Sequence, residues 1–354
     1  MNNKKINKIK LTLTTKCDSS CQYCFVKKTN ERMSYIIAKK SIDLLINARG
    51  KNKLLALYGG EPFLEFDLIK KIVPYAEKLA RGKKKNLTVS ICTNLTILSK
   101  KHIHFIKENN IKITVSLVGT PKLHNKYRLF RNKNKTYEKV LQNLKKLSDN
   151  IPAQNIGISF VIIPSTSSVI YKNFTHILNL GISNNINFEI IQDFEEWRKD
   201  SRLNFTNNFK KIIKKILHEI DYNNFIFINP INWELAKGLL TQRLFTYCPF
   251  NYLLEVYPSG DTAFSPFLLN REDKDHFTIG NISHDFQKKY QRCRFNKKTK
   301  KCLACQDNYL KPIHSIDKTH LVRKYYHSAS LEAAKIINNK NKKYVTYAKK
   351  YLCY

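Results

Sequence analysis

Three cysteines near the start of the chain, Cys17, Cys21 and Cys24, stand in a C-x3-C-x2-C spacing directly after the alternating apolar run 9–13. Three thiolates on one short loop can converge on a single inorganic centre, and soft sulfur ligands suit iron–sulfur clusters, zinc or copper(I). On a four-iron cluster, three protein ligands leave one iron free for another molecule. A half zinc site or a chance grouping of thiols are the plainer readings. A second group follows at Gly59, Gly60 and Glu61, before Pro62. Paired glycines let backbone approach a ligand closely, although an ordinary strand-to-helix turn uses them too. Four more thiols, Cys248, Cys293, Cys302 and Cys305, lie in the last third of the chain. Four cysteines can hold one [4Fe–4S] cluster or one tetrahedral zinc. Cys92 sits in an apolar run and reads as a small core residue.

These groups need elements to carry them. Short β-branched runs at 9–14, 54–58, 87–92, 111–117, 156–163 and 187–191 alternate with amphipathic stretches at 35–46, 66–79, 101–108, 137–147 and 168–180. That alternation predicts βαβ units around a parallel sheet. The expected fold is α/β: a partial (β/α)6 TIM-like barrel with a small C-terminal cysteine-containing module. Its chemistry belongs on the βα loops at the C-terminal mouth. Ser34 and Ser99 are the expected N-caps of the first and third helices. Residues 1–199 form the barrel in this division, 200–245 a helical connector with a helix at 205–220, and 246–325 the auxiliary module. Pro249, Pro258, Gly260, Pro266 and Gly280 break the module into short runs. Residues 326–354 form a C-terminal helix, whose Lys-rich part at 331–354 carries Tyr344, Tyr347 and Tyr351. That helix is expected to pack on the barrel, with RNA contact as the other reading.

The cysteine spacing after a first strand, with Tyr23 just before the third cysteine, resembles the signature of the radical S-adenosylmethionine (SAM) enzymes. The resemblance implies a [4Fe–4S] cluster on Cys17, Cys21 and Cys24, its fourth iron chelated by the amino and carboxylate groups of SAM. The segment at 59–61 resembles the family's G-G-E motif, so Gly59, Gly60 and Glu61 are expected at the amino group of SAM. Thr93-Asn94 is similar to a T-N-G turn, with Leu95 in place of the glycine, and the resemblance implies that Thr93 and Asn94 bind SAM. Ser116-Leu117-Val118-Gly119, followed by His124 and Arg128, resembles an S-L-D-G-x5-H-x3-R segment with Val118 in place of the Asp. Ser116 and Arg128 would then face the SAM carboxylate, and Tyr23 the adenine. No catalytic side chain is implied beyond the cluster and SAM. A reduced cluster would split SAM to methionine and a 5′-deoxyadenosyl radical, which abstracts hydrogen from an unactivated carbon.

Cys248, Gly260 and Ser265 resemble the opening of the SPASM and shorter Twitch auxiliary-cluster domains, and Gly280-Asn281-Ile282 the turn that follows. Cys302-x2-Cys305 matches the start of a longer cysteine run, but Lys311 and Ser315 stand where further cysteines would be. The resemblance therefore implies one auxiliary [4Fe–4S] cluster on Cys248, Cys293, Cys302 and Cys305, with zinc or no metal as alternatives. It also implies a peptide or protein substrate that is crosslinked, epimerised or oxidised. Pro266 after Ser265 departs from the Asp of sulfatase maturases. A flavodoxin or ferredoxin would donate electrons, and a leader-peptide recognition protein would be a separate chain. RNA or a small molecule as substrate, and a non-catalytic metal-binding scaffold, are the alternatives.

Composition narrows the setting. Hydrophobic residues make up 42% of the 354, enough for a packed core. A formal charge of +36 could advertise nucleic acid. The excess is mostly Lys, spread along a chain rich in Asn and Ile, whereas phosphate and base recognition draws on the planar fork of Arg. Nucleic acid is therefore not expected as a partner. Nine cysteines without regular spacing do not form a disulfide framework. The N-terminus lacks the apolar stretch of a secretory signal, and no run is long enough to span a bilayer. A cytoplasmic protein without membrane contact is the expectation.

Overall fold

The computed structural model describes residues 6–191, 194–236, 253–263, 278, 280–284, 295–296, 301–302 and 318–351. Its centre is six parallel strands, β1 (Lys8–Thr12), β2 (Asn52–Tyr58), β3 (Asn86–Thr93), β4 (Lys112–Ser116), β5 (Ile156–Ile162) and β6 (Asn185–Ile190), paired in that order. Between them run α1 (Tyr35–Asn47), α2 (Phe66–Gly82), α3 (Lys100–Glu108), α4 (Pro121–Tyr127), α5 (Tyr137–Ser148) and α6 (Ile170–Asn179). The expected βα alternation is present.

The sheet extends beyond those six strands. β7 (Phe227–Ile228) adds in parallel to β6. A further strand, β8 (Leu253–Val256), joins the other edge in parallel to β1, placing Lys10 opposite Glu255. β9 (Asp261–Ala263) and β10 (Gly280–Asn281) continue antiparallel from β8. No hydrogen bonds join the β7 and β10 ends among the described residues, so the barrel is open.

The two faces of the strands differ in chemistry. In β1, Ile9 and Leu11 are fully buried beneath the helices, while Lys8 and Lys10 line an internal cavity. The same alternation sets Leu55, Leu57 and Ile91 against the helices and Tyr58, Ser90 and Cys92 towards the cavity. A filled barrel carries branched aliphatics on its inner face; this one carries hydroxyls, amides and charges. Cys92 is therefore not the core residue expected from its apolar run. The period-2 pleat turns it to the cavity.

Ser34 caps α1, its hydroxyl accepting from the Ile37 N–H at 3.2 Å. Ser99 is the N-cap of α3 in a reciprocal capping box, with His102 Nδ1 accepting the Ser99 N–H at 3.2 Å. The sixth helical stretch starts with a 3-10 turn, Pro164–Val169, before α6. Downstream lie α7 (Lys199–Asp221), α8 (Asn229–Ala236), α9 (Thr319–Lys340) and α10 (Lys342–Tyr351). Helical structure at the end of the chain thus begins earlier than the Lys-rich pattern suggests and breaks at Asn341. It packs on the barrel: the Tyr326 ring lies 4.9 Å from that of Phe209 on α7. The buried Tyr344 donates to the Ile226 carbonyl at 2.6 Å. β11 (Phe295–Asn296) and β12 (Lys301–Cys302) form a separate hairpin pair.

Candidate active site

Cys17, Cys21 and Cys24 sit on the loop that leaves β1, and three backbone segments hold that loop in place. Residues 29–33 return alongside it, with Thr15 N–H donating to Glu31 O at 3.0 Å and Met33 N–H to Leu13 O at 2.8 Å. The turn after β2 adds Gly60 N–H to Thr14 O at 2.8 Å and Glu61 N–H to Lys16 O at 2.9 Å. The segment after α4 accepts Ser20 N–H at Leu129 O, 2.7 Å, and Gln22 N–H at Tyr127 O, 3.0 Å.

The glycine pair is explained by this packing. A Cβ on Gly59 would stand 2.4 Å from Thr14 O, and one on Gly60 2.2 Å from Lys16 O. The close approach they permit is to the cysteine loop's own backbone, though both also line the cavity. Glu61 is fully buried and does not line it. Its Oε1 accepts from Phe63 N–H at 3.0 Å and Thr93 Oγ1 at 2.7 Å, and its Oε2 from Asn94 N–H at 2.8 Å. Burial pushes this carboxyl up to about 7 against those three donors. From Asn94, Nδ2 reaches Asp18 Oδ1 at 2.8 Å, Ser19 Oγ at 3.0 Å and Cys17 Sγ at 3.7 Å. Glu61, Thr93 and Asn94 thus form a buried lock beneath the cysteine loop, and Thr93 and Asn94, unlike Glu61, also line the cavity. Leu95, where the resembled turn has glycine, adopts the left-handed conformation at φ 57° with its side chain fully buried.

The remaining expected residues meet at the cavity, which has a volume of about 480 Å³ and is lined by the three cysteines, Tyr23, Ser116 and Arg128 among others. Arg128 is 8% exposed, donates from Nη1 to Tyr23 OH at 3.2 Å, and has no ion-pair partner among the described residues. Burial opposes its charge, but Cys21 and Tyr23 outweigh that and hold it above the ordinary arginine value. Burial pushes Tyr23 up to about 12, and packing against Tyr127 and Phe194, ring centroids 6.1 and 6.3 Å away, fixes its ring. Burial likewise pushes the Cys17 thiol up to about 12 and raises Cys24. The Ser19 N–H points at Cys17 Sγ from 3.4 Å, which suits an anionic sulfur.

His124 holds Arg128 from behind. Its Nδ1 accepts the Val118 N–H at 3.3 Å, and its Nε2 lies 3.0 Å from Thr136 Oγ1. Thr136 in turn donates to the Arg128 carbonyl at 2.7 Å. Val118, in place of the resembled Asp, packs in the core and uses only its backbone here.

Residues 11–167 match the radical SAM superfamily. The chain is 29% identical over 211 residues to an uncharacterized protein of Methanocaldococcus jannaschii, covering 58% of this chain and 70% of that one. It is 31% identical over 144 residues to a cysteine-type anaerobic sulfatase-maturating enzyme of Clostridium novyi, 38% of each chain. It is 22% identical over 246 residues to the radical SAM cyclopropyl synthase TigE of Paramaledivibacter caminithermalis, 62% of this chain and 47% of that one. The chain therefore spans less than half the length of these two enzymes. Its fold is that of anSMEcpe with bound AdoMet, TM-score 0.76 over 98% of both chains at 17% identity. SuiB of Streptococcus suis bound to precursor peptide SuiA superposes at TM-score 0.59, over 85% of this chain and 70% of that one at 14% identity.

Of the auxiliary candidates, Cys248, Cys293 and Cys305 lie outside the described residues, as do Ser265, Pro266, Lys311 and Ser315; of Cys302 only the backbone, in β12, is described. Among the described residues no helix is long and apolar enough to cross a membrane. The sequence patterns passed over Lys10, Glu189, Glu255, Asn229 and Asn232, all of which line the cavity. Polar residues at alternate positions of β1 and β6 were the available signal for the first two.

Proposed function

We propose that this radical SAM enzyme uses SAM and a [4Fe–4S] cluster on Cys17, Cys21 and Cys24 to abstract hydrogen from a peptide or protein. One observation carries the reading: three free thiols and a buried guanidinium without a carboxylate partner among the described residues share one cavity. Such a guanidinium calls for an anion, and the SAM carboxylate is a bidentate match. The donors aimed at Cys17 Sγ from Ser19 and Asn94 fit a ligating thiolate. Cluster and SAM, when bound, supply one-electron cleavage of a carbon–sulfur bond and hydrogen-atom abstraction.

The chain's own part is ligation and orientation. Glu61 acts through Thr93 and Asn94 to hold the cysteine loop, and Arg128, set by His124 and Thr136, anchors the carboxylate. Ser116 and the backbone of Gly59 and Gly60 complete the wall, and Tyr23 flanks the adenine. The cysteine thiols must lose their protons on loading, so cluster assembly releases protons. The auxiliary cysteines would hold a second cluster, and a flavodoxin or ferredoxin would supply electrons. Peptide substrates are supported by the sulfatase-maturating relatives, whose targets are proteins.

The test is formation of 5′-deoxyadenosine from SAM by anaerobically reconstituted, reduced protein. Wild type should form it, while Cys17→Ala and Cys24→Ala, checked for folding by circular dichroism, should not. A wild-type chain loaded with iron and sulfide that leaves SAM intact removes the proposal.

A further inference from the structure

The side of the cavity where β6 and α8 face β1 and β8 carries polar groups that SAM and the cluster leave unexplained. Glu189 on β6 opens onto the cavity, and no hydrogen bond or ion pair joins it to a described residue. Glu255 on β8 is 2% exposed; its Oε1 lies 3.4 Å from Lys10 Nζ, and its Oε2 has no partner among the described residues. α8 contributes Asn229 and Asn232, one helical turn apart, each with a buried Oδ1 that accepts nothing from the described residues. Ile231 and Leu235 of α8 are buried in the core, so the helix is fixed in this rotation.

The orphaned atoms share one character. Among the described cavity-lining residues, each buried side-chain atom without a partner is an oxygen: Asn229 Oδ1, Asn232 Oδ1 and Glu255 Oε2. Glu189 adds a carboxylate beside them. Three cations are near, and each is engaged: Lys10 lies over the Tyr58 ring at 4.0 Å while paired with Glu255, Arg323 donates to the Ile190 carbonyl at 2.9 Å, and Lys8 has an interaction of its own. Buried acceptors without donors are costly, and natural sites carry them where a ligand or water supplies the missing hydrogens. A carboxylate or phosphate, which only accepts, cannot supply hydrogens to these oxygens. The wall is also kept clear by construction: a Cβ on Gly157 of β5 would stand 3.1 Å from Asn185 Nδ2 and 3.3 Å from Asn187 Nδ2.

We propose that this wall is a recognition subsite for an N–H-donating group of the substrate, an ammonium or a primary carboxamide, held by Glu189, Glu255, Asn229 and Asn232. The assignment rests on the cavity being the reaction chamber, and it names the part of the substrate that enters deepest. For a peptide substrate that part is an amine-bearing or amide-bearing side chain, or the chain's amino terminus.

Saturation-transfer NMR on the reconstituted protein tests it with three small probes, methylammonium, acetamide and acetate, and needs no turnover. A donor probe should bind about tenfold better than acetate, the ratio one hydrogen bond to a charged group supplies. Asn232→Leu should weaken the donor probe severalfold, with Asn232→Ser as the milder replacement should the first variant not fold. Glu189→Gln separates the two sources: selective loss of methylammonium binding assigns an ammonium, and retention of both donor probes assigns a carboxamide. The probes are read with saturating SAM present, so that acetate does not report on Arg128; acetate binding there as well as the donors, no binding of either donor, or donor binding unchanged in both Asn232 variants overturns the subsite. Cleavage of SAM is read separately, so a protein that makes 5′-deoxyadenosine yet does not discriminate the probes loses the subsite alone.

Discussion

Gly60→Ala is the sharpest probe of how the cysteine loop is held. The new Cβ would lie 2.2 Å from Lys16 O, 2.7 Å from Lys16 C and 2.8 Å from Thr15 O, all main-chain atoms that cannot rotate away. Reaching the 3.4 Å at which ordinary contact begins requires the backbone beside Cys17 to retreat by about 1.2 Å. That movement stretches the bonds from Gly60 N–H to Thr14 O and from Glu61 N–H to Lys16 O. Overpacking of this kind costs about 1–3 kcal/mol, and weakening two buried backbone bonds adds about 1 kcal/mol or more. The expected loss is about 2–4 kcal/mol in urea unfolding of the metal-free protein, with reduced iron uptake on anaerobic reconstitution. Gly82→Ala is the control. Nothing lies within 4 Å of its Cβ, at the end of α2, and alanine there should be neutral or stabilise by up to about 1 kcal/mol. If Gly60→Ala unfolds at the same urea concentration as wild type and takes up the same iron, the glycine pair does not serve the packing argued above.

Three further expectations concern the residues around Arg128 and Asn94. Arg128→Met removes a buried charge with one hydrogen bond, so the metal-free variant should be at least as stable as wild type, while SAM binding by calorimetry weakens about tenfold to a hundredfold. Equal SAM affinity would take Arg128 out of the site. Burial, helped by Arg128, holds the His124 imidazole well below its ordinary 6.5. The unfolded chain therefore binds the extra proton first, and stability falls as pH drops below about 6.5. His124→Gln should flatten that decline by up to about 1.4 kcal/mol per pH unit. Parallel urea profiles of the two proteins from pH 7 to pH 5 would refute it. Leu95→Gly relieves a left-handed backbone worth about 1–2 kcal/mol but empties a fully buried site at a cost of about 2–5 kcal/mol. A net loss is expected, and a more stable variant would show that the backbone strain dominates.

The strand and helix pattern of the first 190 residues was legible because each strand presents β-branched or leucine residues to the helices at period 2. The C-x3-C-x2-C spacing was legible because its ligands are close in sequence. Boundaries moved where tertiary bonds decide them: β6 begins at Asn185 rather than 187, and α6 is preceded by a 3-10 turn. Cys92 was misread because an apolar neighbourhood cannot say which face of a strand looks onto a cavity.

By itself the sequence determined the α/β order, the cysteine loop and the family it resembles, since local periodicity and short spacings encode those directly. Only the tertiary structure decided that Glu61 is locked under the loop rather than open to the cavity, that Arg128 is buried without a counter-charge among the described residues, and that β8 pairs with β1. It also decided that Asn229, Asn232, Glu189 and Glu255 share one wall. These residues come from segments tens of residues apart, and their partners are chosen by where the sheet curls, which no local pattern records.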